Sequence, residues 1–147
     1  VFERVASKNH VRGPIKSYRK KCFEAIGGLK ESVGWDSIDV LLAQYYGWKI
    51  QTDTNLHVKH LKPTGKTYSK NTKYLRGEAL YKMRFGVILT LIASLKSAFN
   101  KRSISYFFNS VIGYLKAKRE KQTFLVDENQ GRFIRQLHWK NIKKKIF

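Results

Sequence analysis

Cysteine is nearly missing from this 147-residue chain. The lone thiol, Cys22, permits no intrachain disulfide and no cysteine-built zinc site, and such sparing use suits a reducing compartment. Proline appears twice, at Pro14 and Pro63, and no low-complexity tract or internal repeat is present, which argues against a disordered or fibrous chain. No stretch reaches the roughly 20 apolar residues that a transmembrane helix needs. No Gly-rich phosphate loop of the Walker type occurs, and no Asp-x-Asp. Helix-turn-helix, RNA-recognition and zinc-finger patterns are absent as well.

Acidic residues are the scarcest class of all: 10 Asp and Glu stand against 30 Lys and Arg, a net charge of +20. From Leu61 to Arg102 the only acid is Glu78, among ten Lys and Arg. From Asn129 to the end there is none, while Lys143, Lys144 and Lys145 stand in a row. Charge on this scale fits nucleic acid, an anionic membrane surface or phosphorylated substrates. The chain starts with Val and shows no signal peptide, so it is expected to begin partway through a longer protein.

What is present points to a folded chain. Hydrophobic residues make up 42% and aromatics 14%, and the length suits one domain or part of one. Gly13-Pro14 marks a turn, and Ile15 to Tyr18 suits a short strand. Cys22, Phe23 and Ile26 share a helical face over 20–26, which Gly27-Gly28 closes. Ile38, Leu41, Leu42 and Tyr45 predict a helix over 36–46, ended by Gly47. Residues 48–62 alternate in part, through Ile50, Leu56 and Val58, and predict one or two strands. Longer helices are expected over 76–99 and 103–121, with a shorter basic one over 132–145. The second carries the apolar stripe Ile104, Phe107, Phe108, Val111, Ile112 and Leu115.

Within Gly34-Trp-Asp-Ser-Ile-Asp39, two carboxylates lie three residues apart at a helix start. Capping accounts for them: Asp36 as N-cap, Trp35 and Val40 as a hydrophobic staple, and Asp39 against the positive end of the helix dipole. The same placement suits chemistry. A carboxylate held at a helix N-terminus beside a cleft can take a proton from a bound hydroxyl.

The order of the surrounding residues carries more than this pair. Arg12-Gly-Pro14 comes first, then Tyr18-Arg19, Phe23-Glu-Ala-Ile-Gly-Gly-Leu29, Gly34-Trp-Asp-Ser-Ile-Asp39, Gly47-Trp48 and His57-Val-Lys-His60-Leu-Lys-Pro-Thr-Gly65. Over roughly residues 11–65 this series resembles the C-terminal half of the catalytic domain of glycosyltransferase family 2. These are enzymes of the α/β, Rossmann-like GT-A fold that use nucleotide sugars. The resemblance implies that Asp36 is the general base of an inverting transfer, taking the proton of an acceptor hydroxyl as it attacks the anomeric carbon. It implies that Asp39 is a structural or acceptor-orienting acid, with Trp35 standing where many relatives carry Glu. It places His60 with the histidine that, in some relatives, helps to hold a divalent metal, Mn²⁺ or Mg²⁺, on the nucleotide diphosphate. His57 lies two residues off on the same strand face. Arg19, Lys62 and Lys66 could neutralise diphosphate charge, or be solvated surface charges. With no Asp-x-Asp motif, the chain is expected to be the acceptor-side half of an active site, inactive alone.

Two parts are therefore expected: 1–72, the acceptor-side half of a GT-A domain, and 73–147, a helical, basic extension. The extension either packs on the α/β part or lies on an anionic membrane surface, with Lys96, Lys101, Arg102, Lys116, Lys118 and Arg119 at the headgroups. The expected partners are a nucleotide-sugar donor, a saccharide or lipid-linked acceptor and that membrane surface, in surface polysaccharide synthesis at the cytoplasmic face of the cell membrane. The rival reading is a basic module that binds nucleic acid or membrane without catalysis. Trp139 and several Tyr could stack on bases, but the cations flank apolar helices and do not line a polar face, so no nucleic-acid partner is expected.

Overall fold

The computed structural model describes residues 16–53 and 70–146, and the chain divides into two compact units, 1–69 and 70–147. Among the described residues every regular element is a helix, and there is no strand. This corrects the expected α/β, Rossmann-like GT-A architecture. Residues 16–19 and 48–53 are irregular. The alternation behind the expected second strand region is sparse: within 48–53 it offers only Trp48, Ile50 and polar neighbours. Side chains of residues 16–18 are used on a helix instead of a ladder, as set out below. The remainder of the expected strand region, with His57, His60, Lys62 and Lys66, lies outside the described residues.

In the first unit, α1 (Lys20–Ala25) buries Cys22 and, just past its end, Ile26. Its C-terminus closes with Gly27 N–H on the Glu24 carbonyl and Gly28 N–H on the Phe23 carbonyl, both at 3.0 Å. Both glycines take positive φ, 69° and 70°, as a Schellman ending requires. The second helix, α2 (Trp35–Tyr45), ends the same way. Gly47 N–H meets the Gln44 carbonyl at 3.0 Å and Trp48 N–H the Ala43 carbonyl at 2.9 Å. Its inner face is Ile38, Asp39, Val40, Leu42 and Ala43.

The start of α2 departs from expectation. Gly34, at φ 88°, is the N-cap, and its carbonyl receives Ser37 N–H at 2.9 Å and Ile38 N–H at 3.2 Å. Asp36 is therefore the second helical residue and not the cap, and Trp35 lies inside the helix instead of preceding it.

In the second unit, a 3-10 turn (Lys70–Tyr74) runs into α3 (Leu75–Lys82), followed by α4 (Val87–Lys101), α5 (Ile104–Arg119) and α6 (Glu128–Ile146). The single helix expected over 76–99 is broken at residues 83–86. Arg84 N–H bonds to the Tyr81 carbonyl at 2.9 Å and Phe85 N–H to the Leu80 carbonyl at 3.1 Å. Arg84 takes φ 56° and Gly86 φ 78°. The break lets Met83 and Phe85 turn inward and sends the Arg84 guanidinium to Glu128 at 2.6 Å, to the Val126 carbonyl at 3.0 Å and over the Phe124 ring at 3.7 Å. The last helix starts four residues earlier than expected, in a capping box. Gln130 N–H donates to Asp127 Oδ1 at 2.8 Å, and Gln130 Oε1 accepts from Asp127 N–H at 3.0 Å.

Helix α5 packs against α3, α4 and the 3-10 turn. The contacts are small residues: Ser110, Gly113 and Ala117 are buried on α5, and Thr90, Ser94 and Ala98 on α4. A Cβ on Gly77 would sit 1.8 Å from the Ser110 carbonyl oxygen, and one on Gly113 2.2 Å from that of Tyr74, so backbones meet directly at both crossings. Of α5's apolar stripe, Ile104, Phe108, Ile112 and Leu115 are exposed and Phe107 and Val111 half-buried. Large side chains could not be accommodated where backbones approach so closely. Among the described residues no helix is long and apolar enough to cross a membrane.

Candidate active site

Asp39 is almost sealed. It lies on the inner face of α2, with 3% of its side chain exposed, and the Lys16 side chain that meets it is 4% exposed. Lys16 Nζ donates to both carboxylate oxygens, at 2.8 and 2.9 Å. The Tyr18 hydroxyl donates to Oδ2 and the Val40 amide to Oδ1, the latter at 2.6 Å. A charge this deep is tolerated because an opposite charge and hydrogen-bond donors fill its lone pairs. Lys16 also donates to the main-chain carbonyl of Asp36 and stands 5.5 Å from the centre of the Trp35 ring. One ammonium thus links the first turn of α2, its buried acid and its indole.

The environment of this pair also holds the neighbouring acids in their protonated forms. Burial pushes the Tyr18 phenol well above its ordinary value, reinforced by its hydrogen bond to Asp39 and by the nearby negative charges. Burial pushes the Cys22 thiol up too, with Asp39 adding to it. Tyr18 packs against Phe23, with ring centroids 5.6 Å apart. Neither group is set up as a nucleophile at neutral pH, since the thiolate is the reactive form of cysteine.

Asp36 differs from Asp39 in every respect that matters for proton transfer. It is half-buried, in the first turn of α2. Among the described residues its carboxylate meets no hydrogen-bond or ion-pair partner, and only its main-chain carbonyl is held, by Lys16. The amide dipoles of α2 favour a negative charge there. The two aspartates therefore differ: Asp39 is a fixed, neutralised anchor, and Asp36 is a carboxylate that no described residue engages. Trp35, the residue before Asp36, has its ring centre 5.5 Å from the Lys16 ammonium. Arg19 is at the N-cap of α1 with its side chain exposed, and no contact brings it to the pair.

His60, Lys62 and Lys66 lie outside the described residues. Among those described, no three His, Cys, Asp or Glu side chains converge as a cation site. The described residues do not form a holder for Mn²⁺ or Mg²⁺, and no step is assigned to a metal. Lys16 is the residue that sequence reasoning missed. One lysine among thirty basic residues, twenty-three positions from its partner, gives no local signal. Tyr18 was visible only as half of the Tyr18-Arg19 pair. Compared with protein-family models, curated proteins and solved structures, the chain matches none.

Proposed function

We propose that Asp36 is the general base of an inverting sugar transfer, and that this chain supplies the acceptor side of the site. The observation that carries the proposal is the contrast within α2: Asp39 is committed to Lys16 and Tyr18, while among the described residues the Asp36 carboxylate, at a helix start, meets no partner. The ordered series from Arg12 to Gly65 supports the same reading. In the reaction, Asp36 accepts the proton of an acceptor hydroxyl as that oxygen bonds to the anomeric carbon and the bond to the nucleotide diphosphate breaks. Lys16, through the Asp36 carbonyl, fixes the turn that presents the base. The donor is a nucleotide sugar and the acceptor a saccharide or a lipid-linked saccharide. An acceptor of the second kind puts the work at an anionic membrane, at its cytoplasmic face.

The test is Asp36→Asn in the full-length protein, with transfer to acceptor followed by product formation. Loss of one general base lowers the rate by about 10²–10⁴-fold, with the fold kept, since among the described residues the side chain holds nothing else in place and Asn is nearly isosteric. Wild-type turnover in that variant removes Asp36 from the role. The rival without catalysis, a basic nucleic-acid module, predicts binding to DNA with a steep salt dependence and no dependence on Asp36.

A further inference from the structure

The packing of α4 and α5 is inverted relative to an ordinary surface helix. Toward their neighbours α4 presents Leu89, Thr90, Ser94 and Ala98, and α5 presents Ser110, Gly113, Tyr114 and Ala117. Outward, α4 presents Ile88, Leu91, Ile92, Leu95 and Phe99, at the i, i+3, i+4, i+7, i+11 spacing of one helical face. On α5 the outward set is Ile104, Phe108, Ile112 and Leu115. Exposure is extreme for such side chains: Phe99 84%, Ile104 75%, Ile88 64% and Leu95 61%. Scattered apolar residues on a surface need no explanation, but contiguous apolar faces do. Inner faces made mostly of small residues, with Leu89 and Tyr114 the exceptions, and outer faces of large apolar ones are how helices pack when their outer surroundings are lipid.

Charge says which occupant covers these faces. From Val87 to Arg119 the chain has six Lys and Arg and no acid. Lys101 and Arg102 stand at the turn between the helices, beside Phe99 and Ile104, while Lys116, Lys118 and Arg119 fill the last turn of α5. A second copy bound face to face would bring the same six cations together. A bilayer of anionic phospholipid answers both the apolar and the cationic parts. Depth follows from length: α4 has 15 residues, about 22 Å at 1.5 Å each, short of the roughly 30 Å hydrocarbon core. The helices therefore lie in the plane of the headgroups.

We infer that the outward faces of α4 and α5 form a docking surface for anionic phospholipid membranes, with the Phe99–Ile104 turn entering the acyl boundary. This surface does not involve Asp36 and stands apart from the sugar-transfer reading. The test is flotation of the full chain with vesicles of phosphatidylcholine alone and with added phosphatidylglycerol. Binding is expected only to the anionic vesicles. Leu95→Glu combined with Phe99→Glu, both at exposed positions that leave the packing alone, weakens it by about tenfold or more. Lys96→Gln with Arg119→Gln weakens it by about fivefold per cation removed. Phe99→Trp adds an emission that shifts to the blue on anionic vesicles. No binding, or binding unchanged by the Glu pair, overturns the inference. So does a wild-type dimer that the Glu pair dissociates, because a second copy then covers the face. Vesicle binding and Asp36-dependent transfer are read in separate assays, so failure of one leaves the other standing.

Discussion

Replacing Lys16 with Met tests the anchor of the candidate site. The substitution keeps most of the side-chain volume and removes the ammonium. Three hydrogen bonds go with it: two to the Asp39 carboxylate and one to the Asp36 carbonyl. Removing one partner of a buried ion pair costs about 3–5 kcal/mol, because the remaining charge stays buried without compensation. Here Asp39 keeps the Tyr18 hydroxyl and the Val40 amide, which puts the expected loss near the lower end, about 3 kcal/mol. Adding Asp39→Asn removes the stranded charge, leaving an amide oxygen for the Val40 N–H and an NH2 that donates to the Tyr18 hydroxyl oxygen, so the double variant recovers about 1–2 kcal/mol of that loss. The assay is urea unfolding followed by tryptophan fluorescence in a Trp139→Phe background, so that Trp35 and Trp48 alone report on the first unit. A Lys16→Met change under about 0.5 kcal/mol, the scale of an ordinary surface substitution, refutes the argument that this pair is sealed and structurally committed. So does a double variant less stable than the single one.

Other outcomes follow from the second unit. Gly77→Ala lowers the melting temperature: its Cβ would stand 1.8 Å from the Ser110 carbonyl oxygen and 2.5 Å from the Tyr114 amide nitrogen, and forcing the helices apart costs about 1–3 kcal/mol, more than the roughly 1 kcal/mol that alanine contributes to a helix. Arg84→Ala costs about 1–3 kcal/mol in chemical denaturation through its lost contacts to Glu128, Val126 and Phe124, and Arg84→Gly is the milder change, because φ 56° suits glycine. Stability is also sensitive to acid through His138, which stacks on Phe85 with centroids 4.6 Å apart and whose pKa burial lowers from 6.5. The unfolded chain takes up the proton first, so this contribution is complete above pH 6.5 and declines as pH falls below it; His138→Phe flattens that slope in melting curves taken from pH 7.5 to 5.

The helices were legible in the sequence wherever a glycine closed them. Gly27-Gly28 and Gly47 end α1 and α2 as their positive φ values demand. The capping box Asp127–Gln130 is equally legible and marks a start for α6 earlier than its apolar spacing predicts. The break at residues 83–86 was hidden because Arg84, the left-handed residue, is not of a type that announces such a turn. Its conformation is held by distant partners, Glu128 and Phe124. The strands expected over 15–18 and 48–62 rest on short apolar runs, whose period does not separate strand from the irregular chain seen at 16–18 and 48–53. Of the candidate site, Asp36 and Asp39 could be named from the sequence, but their division of labour could not. That division depends on Lys16, whose contact is set by tertiary structure alone.

The inverted packing of α4 and α5 has a practical consequence for handling the protein in water. Nothing but mutual repulsion between molecules of charge +20 keeps those oily surfaces from meeting one another. At 0.1 M salt that repulsion reaches about 10 Å, and at 1 M only about 3 Å. Washes of high ionic strength, commonly chosen to strip contaminating polyanions from basic proteins, would therefore drive this one toward precipitation, and a mild detergent would serve better than salt to keep it dispersed.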